Sequence, residues 1–142
     1  MREIKFRAWD KKKKKMVNDV TVKGVYQSKI YLSTWYVEVI RDFDEFGEPI
    51  YFDPNCVEVM QYTGLEDKNG KKIYEGDILA DNSDEKYICE WGEPEAGFYL
   101  YQISSARTFY FPDFKENELR IVGNIHENPE LLEEGGYKNA KN

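Results

Sequence analysis

The chain has 142 residues, of which 41% are hydrophobic and 33% are charged, as in a typical soluble globular protein. It contains no apolar run near the roughly 20 residues that a membrane helix needs, and no apolar core follows Arg2, Lys5 and Arg7. These features exclude a membrane-spanning helix and a signal peptide, so we expect a cytoplasmic protein with no membrane partner.

The net charge of −7 is unevenly spread along the chain. Residues 1–15 carry eight basic and two acidic side chains, whereas residues 16–142 carry twelve basic and twenty-five acidic ones. The acidic bulk argues against non-specific binding of duplex DNA, which needs lysine and arginine to neutralise phosphates. The Lys11–Lys15 run has two interpretations: a solvated hairpin loop, which we favour because predicted strands flank it, or a contact to phosphate.

The first half of the chain alternates between apolar and polar residues over short stretches, which predicts β-strands. Glu3–Trp9 shows the clearest alternation, and Met16 and Val17 can return as the second arm of a hairpin. Residues 41–49 are acidic and loop-like, and Asp53-Pro54-Asn55 is a turn signal. Strands are predicted at 3–9, 16–17, 20–26, 30–32, 35–40, 50–52 and 56–62, with Ser33-Thr34 separating the fourth from the fifth.

The stretch Met60–Leu79 concentrates turn signals. Asn69-Gly70 lies between Lys68 and Lys71, with apolar residues further along both arms. It predicts a type I′ hairpin turn, in which both central residues have positive φ. Gly64 marks a bend before this hairpin, and Glu75-Gly76-Asp77 marks a tight bend after it. We interpret the stretch as a structural hub that fixes how the strands enter a barrel.

The last part of the chain predicts strands at 86–91, 98–103, 108–111 and 119–122, and then one helix. Asn128 suits the cap of that helix and Pro129 its first position, while Gly135-Gly136 end it. The predicted fold is all-β or β-rich α+β, with short strands in an SH3-like or open barrel arrangement and one short C-terminal helix. Residues 1–134 form one domain, either undivided or as lobes 1–59 and 60–126, and residues 135–142 form a flexible tail.

No residue set with catalytic or metal-binding spacing is recognisable. Cys56 and Cys89 are lone thiols outside any CxxC motif, and the single histidine, His126, lacks a nearby nucleophile in sequence. We therefore predict no enzyme activity, no catalytic residues, no metal and no cofactor, with the binding residues unknown. The carboxylate clusters Asp42, Asp44, Glu45 and Asp81, Asp84, Glu85 lack the spacing of a calcium loop.

Exposed aromatic side chains on strands can stack on single-stranded bases, and the chain has eleven tyrosines, eight phenylalanines and three tryptophans. The alternative, which we favour, is that these rings pack in the core and on sheet surfaces, because no basic groove accompanies them. The candidates for stacking are Trp35, Tyr36, Tyr99, Tyr101 and Tyr110.

Three blocks of the sequence resemble the YopX-like family of phage and prophage proteins. They are REIKFRAWD at Arg2–Asp10 with Met16 following, MQYTGLEDKNGKKIYEGDI at Met60–Ile78, and GNIHENPELL at Gly123–Leu132. Residues 20–56 carry no motif of the family. The resemblance implies a β-rich protein encoded in a phage or prophage genome, located in the cytoplasm of a bacterial host and able to self-assemble.

Two functions remain open at this stage. The first is a non-enzymatic phage accessory protein that forms a homo-oligomer or binds a phage or host protein. The alternative is a single-stranded nucleic-acid-binding module, which would use Lys11–Lys15 and the tyrosines. An acidic mimic of nucleic acid and a hydrolase have less support, since basic residues are interspersed and no catalytic set is present.

Overall fold

The computed structural model describes residues 3–29, 32–115 and 117–133, and for residues 25–29 and 32–37 it describes the backbone alone. The described residues form a β-rich fold with a curled half-barrel sheet and one short C-terminal helix, which confirms the predicted fold class. The chain divides into two compact units. One runs from Ile4 to Gln61, and the other comprises Glu3 and the described residues from Tyr62 onward. The predicted domain limits at 59 and 134 stay predictions.

The unit from Ile4 to Gln61 contains two antiparallel sheets. In the first, β1 lies between β2 and the first part of β6; in the second, β4 lies between β3 and β5. The Lys11–Lys15 run joins β1 to β2, so the predicted hairpin is confirmed. The strands are β1 (Phe6–Asp10), β2 (Lys15–Val17), β3 (Thr21–Lys29), β4 (Leu32–Phe43), β5 (Pro49–Tyr51) and β6 (Val57–Glu66).

The core of this unit is small and apolar, with buried Ala8, Val20, Val39 and Phe52 in contact with one another. Partly buried residues extend it, among them Phe6 and the valines of β2 and β6. Alternation along β1 and β6 places these side chains on one face of their sheet, as period-two patterning requires.

Strand β4 is longer than predicted. It continues from Leu32 to Phe43 through Ser33-Thr34, where the sequence predicted a break. The prediction was wrong because each residue from Leu32 to Ile40 has a partner in β3, so the ladder outweighs the weak turn preference of Ser-Thr. Of the predicted 30–32 strand, residues 30 and 31 lie outside the described residues.

The unit from Tyr62 onward contains a five-stranded antiparallel sheet in the order β11-β10-β9-β8-β12, and a hairpin of the last part of β6 with β7. A short 3₁₀ helix at Phe111–Asp113 follows β11, and a second one at Pro54–Cys56 precedes β6. The strands are β7 (Lys72–Tyr74), β8 (Asp77–Ala80), β9 (Lys86–Gly92), β10 (Gly97–Gln102), β11 (Thr108–Phe109) and β12 (Arg120–Asn124).

Both faces of this sheet are covered, which explains why all four residues of β8 are buried. Leu79, Cys89 and Leu100 pack into one cluster, whereas Ile78 and Ile88 pack into another. Neighbours along a strand thus enter opposite cores, as the alternation of a β-strand dictates. The helix α1 (Glu130–Glu133) contributes Leu131 and Leu132 to the second cluster, and the predicted stop at Gly135-Gly136 lies outside the described residues.

Three hairpins share one turn construction, which differs from the predicted type I′ turn. In each, the carboxylate of an aspartate accepts hydrogen bonds from the N–H groups two and four residues later, at 2.8–3.0 Å. The fourth residue of each turn has positive φ, and in the central hairpin only Gly70 does, not Asn69. This is a type I turn followed by a left-handed residue, because the leading aspartate stabilises it. The three aspartates are Asp44, Asp67 and Asp81.

Candidate functional site

Two of the sequence blocks that resembled the YopX-like family meet in the unit from Tyr62 onward. The Asp77 carboxylate accepts a hydrogen bond from the N–H of Tyr74 at 2.8 Å, which closes the predicted bend. The carbonyl of Gly76 accepts from the N–H of Ile125 at 2.9 Å, and the N–H of Gly76 donates to Cys89 at 2.8 Å. The bend at Gly76, with φ of 87°, thus joins the central block to the C-terminal block.

The C-terminal block is held by its own amide side chains. Asn124 Oδ1 accepts from the N–H groups of His126 and Glu127 at 3.0 and 2.9 Å, and Asn128 Oδ1 accepts from the N–H of Asn124 at 3.2 Å. A Cβ atom on Gly123 would lie only 2.5 Å from Asn128 Oδ1, so this close approach requires glycine. Strand β12 therefore continues through Gly123 to Asn124, where the sequence predicted its end.

Asp67 is a buried carboxylate that joins the β6–β7 hairpin to β12. One oxygen accepts from the N–H groups of Asn69 and Lys71, and the other accepts from the N–H of Ile121, all at 2.9 Å. Burial alone would raise the pKa of Asp67, but the three donors outweigh it and hold the pKa below its ordinary value. The motif residues thus use their polar groups on the backbone, which agrees with the interpretation of this stretch as a structural hub.

The residues weighed for catalysis and metal binding lie apart from any assembled site in the described part of the chain. Cys89 is buried and Cys56 is half-buried, and neither forms a disulfide. Within residues 3–29, 32–115 and 117–133, no group of three His, Cys, Asp or Glu side chains is placed to hold a metal ion. The absence of enzyme activity stays a prediction.

The predicted carboxylate clusters stabilise loops. Asp81 accepts from the Tyr87 hydroxyl at 2.9 Å in addition to its turn N–H groups, and burial together with this carboxylate raises the pKa of Tyr87. Asp84 forms an ion pair with Arg120 at 2.7 Å. Asp44 holds its own turn, as described above.

The aromatic residues considered for base stacking are dispersed. The Tyr99 hydroxyl donates to Glu90 at 2.5 Å, and burial and this carboxylate raise the pKa of Tyr99. Tyr101 packs against the Ile78 cluster, whereas Tyr110 is 44% exposed. The side chains of Trp35 and Tyr36 lie outside the described residues.

A groove of about 680 Å³ lies beside the β6–β7 hairpin, and we call it the hairpin groove. Two residues at its base, Ile73 and Leu119, are buried, whereas Leu65 is 44% exposed. The N–H of Lys68 donates to Leu119 at 3.0 Å, so the hairpin is fixed to the opposite wall. The groove is lined by Leu65, Glu66, Asp67, Lys68, Ile73, Phe111, Pro112, Phe114, Lys115, Asn117 and Leu119.

The turn between β4 and β5, Asp44–Glu48, presents an exposed phenylalanine, and we call it the Phe46 loop. Phe46 is 81% exposed, the highest value among the exposed large hydrophobic residues of the described chain. The backbone of the loop is closed by two hydrogen bonds, Asp44 N to Glu48 O at 2.9 Å and Gly47 N to Asp44 O at 3.0 Å. Sequence reasoning missed this residue, because one phenylalanine in an acidic loop produces no periodic signal.

Strand β3 is the outer strand of its sheet, and its unpaired side is the β3 edge. Nine residues, from Thr21 to Lys29, pair with β4. Among the described backbone groups, no hydrogen bond reaches the other side of these nine residues. The β3 edge lies within the 20–56 region, for which the sequence offered no motif.

No helix in the described part of the chain is long and apolar enough to cross a membrane. A comparison with curated proteins gave no match. The solved structures that are similar to this one include the following two. Protein EF1440 from Enterococcus faecalis has a TM-score of 0.62 and 25% identity, covering 93% of this chain and 99% of its own.

The second solved structure is protein yopX from Bacillus subtilis, with a TM-score of 0.56 and 17% identity, also covering 93% of this chain and 99% of its own. At that identity the likeness shows a common fold. The family model described as YopX protein matches residues 5–133, almost the whole chain. The chain therefore belongs to the YopX family.

Proposed function

We propose that this protein is non-enzymatic and acts by self-association, with the β3 edge as its principal contact. The proposal includes an accessory function in a phage or prophage, in the cytoplasm of the bacterial host, in keeping with the family resemblance. The observation that carries the proposal is the nine-residue length of this edge. Proteins usually keep exposed edge strands short, because unpaired N–H and C=O groups recruit further strands.

The β3 edge has few of the features that prevent strand pairing. Thr21–Lys29 contains no proline, and no bulge interrupts its register with β4. Its two lysines, Lys23 and Lys29, are its only charged residues. β5 pairs with β4 only near Ile40–Phe43, so residues 24–29 and 32–37 form a two-stranded ribbon. Such a ribbon is marginally stable in water and gains from a third strand.

The proposal that the protein is not an enzyme rests on what its polar side chains bind. Asp67, Asp77 and Asn124, which stand in the blocks resembling the family, all bind backbone N–H groups. Groups committed in this way are poorly placed to bind substrate or transfer protons. A protein of the phage or host that supplies the extra strand would use the same edge, since strand addition depends on backbone groups.

The test is light scattering after gel filtration, over a concentration series, on the wild type and two proline variants. The two variants are Lys23→Pro and Gly24→Pro. Adjacent residues of a strand direct their N–H groups to opposite sides. One variant therefore removes a donor from the ladder with β4, and the other removes a donor from the β3 edge. Both residues are exposed, so packing is little changed.

We expect the wild type to associate and the edge-facing variant to associate far more weakly, with an unchanged circular dichroism spectrum. A wild type that stays monomeric at all concentrations refutes self-association. The nucleic-acid alternative is tested by fluorescence anisotropy with a labelled single-stranded oligonucleotide at low salt. Binding that is lost when Lys11–Lys15 are replaced by glutamine would favour that alternative over our proposal.

A further inference from the structure

We propose that the hairpin groove of one copy of this protein binds the Phe46 loop of a second copy. The inference rests on the proposed self-association and names a contact between copies that is separate from the β3 edge. Its basis is one exposed aromatic side chain, one apolar groove, and charges of opposite sign around the two.

Phe46 has the properties of an anchor residue. It is 81% exposed, so burial in a partner would remove nearly the whole ring from water. The loop that carries it is preorganised, because Asp44 Oδ1 accepts from the N–H groups of Phe46 and Glu48 at 2.9 Å and Gly47 has a φ of 79°. Little conformational entropy is therefore lost when the loop binds.

The hairpin groove matches this anchor in size and lining. Its volume of about 680 Å³ holds a phenyl ring together with part of the loop backbone. Phe111 and Phe114 supply aromatic walls, and Phe114 is itself fixed by an edge contact to the Tyr87 ring at 5.1 Å between centroids. Aromatic pairs prefer such edge and offset contacts, which an inserted ring can also make.

Two lysines of the groove lining favour the acidic Phe46 loop as the ligand. Residues 41–51 carry four acidic side chains and one basic one, Arg41. The groove lining includes Lys68 and Lys115, and neither ammonium group forms an ion pair with another residue of the described ranges. Two carboxylates also line the groove: Glu66, and Asp67, whose oxygens already accept three N–H groups.

The contact is heterologous, because the loop and the groove are different surfaces of the same chain. Each copy offers one of each, so association continues until a ring closes or a filament forms. Attraction between the acidic loop and the two groove lysines would also accelerate association at low ionic strength. Added salt would screen this attraction and weaken association.

The first test is Phe46→Ala, measured by analytical ultracentrifugation on the full chain, with Trp91→Ala as the matched control. Trp91 is another exposed aromatic residue, at 44%, and lies outside the groove lining. We expect Phe46→Ala to weaken association by about tenfold or more, as loss of a central aromatic anchor does, and Trp91→Ala to leave it unchanged.

The second test exchanges charges between the two surfaces. The loop variant Glu45→Lys/Glu48→Lys and the groove variant Lys68→Glu/Lys115→Glu should each associate about tenfold or more weakly than the wild type when alone, while a mixture of the two should regain wild-type association. Restoration in the mixture requires contact between copies, and a contact within one chain would not produce it. Folding of each variant is checked by circular dichroism.

The outcomes separate this inference from the proposed function. If Phe46→Ala and both charge variants associate like the wild type while the edge-facing proline variant does not, the inference is wrong and self-association through the β3 edge stands. If the wild type is monomeric throughout, both are wrong. The inference is also overturned if both variants are folded and their mixture associates no more strongly than either variant alone.

Discussion

Replacing Asp67 with alanine tests whether the motif aspartate serves the fold. The substitution removes the acceptor of three N–H groups, two within the hairpin turn and one on Ile121 of β12. Loss of the turn bonds resembles loss of a helix cap, which costs about 0.5–2 kcal/mol. Leaving the N–H of Ile121 without its acceptor in a part-buried site adds about 1–3 kcal/mol.

Asp44→Ala is the matched control, because the Asp44 carboxylate accepts the two equivalent N–H groups of its own turn and, among the described residues, no third N–H group. The difference between the two variants therefore isolates the bond to Ile121. We expect the free energy of unfolding, from urea denaturation followed by tryptophan fluorescence, to fall by about 2–4 kcal/mol in Asp67→Ala and by about half of that or less in Asp44→Ala.

The pH dependence supplies an independent check on Asp67. Because hydrogen bonds hold the pKa of Asp67 below its ordinary 3.8, the folded protein binds this proton less readily than the unfolded chain. The stabilisation is thus fully present above the unfolded pKa and is lost as the pH falls through the lower, folded pKa. The gap between wild type and Asp67→Ala should be constant near neutral pH and close in acid. Equal destabilisation by both variants, or a gap unchanged in acid, would refute this reasoning.

Three further predictions follow from single contacts. Gly123→Ala forces a Cβ against a side chain 2.5 Å away and should lower the free energy of unfolding by about 1–3 kcal/mol, whereas Gly97→Ala, with its nearest atom at 3.8 Å, should change it little. Gly70→Ala should cost about 1–2 kcal/mol because φ is positive there, while Asn69→Ala should cost less; a similar cost for both substitutions in urea melts would instead indicate a type I′ turn. The Tyr99 phenol should stay protonated beyond pH 10, so ultraviolet titration of Tyr99→Phe should show a smaller high-pH step than the wild type, with the step of Tyr87 retained.

Local chemistry explains which elements the sequence predicted well. Strands such as Phe6–Asp10 and Lys86–Gly92 lie where the alternating patterns predicted them, although consecutive residues are buried in both. The bend at Gly76 and the start of α1 near Asn128 likewise depend on residues within a few positions of each other. Local patterns are sufficient where local groups determine the backbone.

The errors arise where a group outside the residues used for the prediction decides the conformation. The type I′ prediction used Asn69 and Gly70 alone, whereas the carboxylate of Asp67 determines the turn. The predicted end of β12 at Gly123 ignored Asn128, which needs the space that glycine leaves. The hairpin groove was beyond prediction for the same reason, since its walls come from residues 65–73 and 111–119, which lie far apart in sequence.

The placement of the family-like blocks separates the residues that fix the turns of this chain from its proposed contacts. Asp67, Asp77 and Asn124 stand in those blocks and bind backbone N–H groups, so they specify how the chain turns. The β3 edge and the Phe46 loop lie at residues 21–29 and 44–48, within the stretch that carries no family motif. Exposed side chains of these two surfaces can change without altering the fold, because exposed substitutions have small effects on stability. Association through the β3 edge and the Phe46 loop is therefore expected to depend on residues 20–56, while substitutions of Asp67, Asp77 and Asn124 should act through folding.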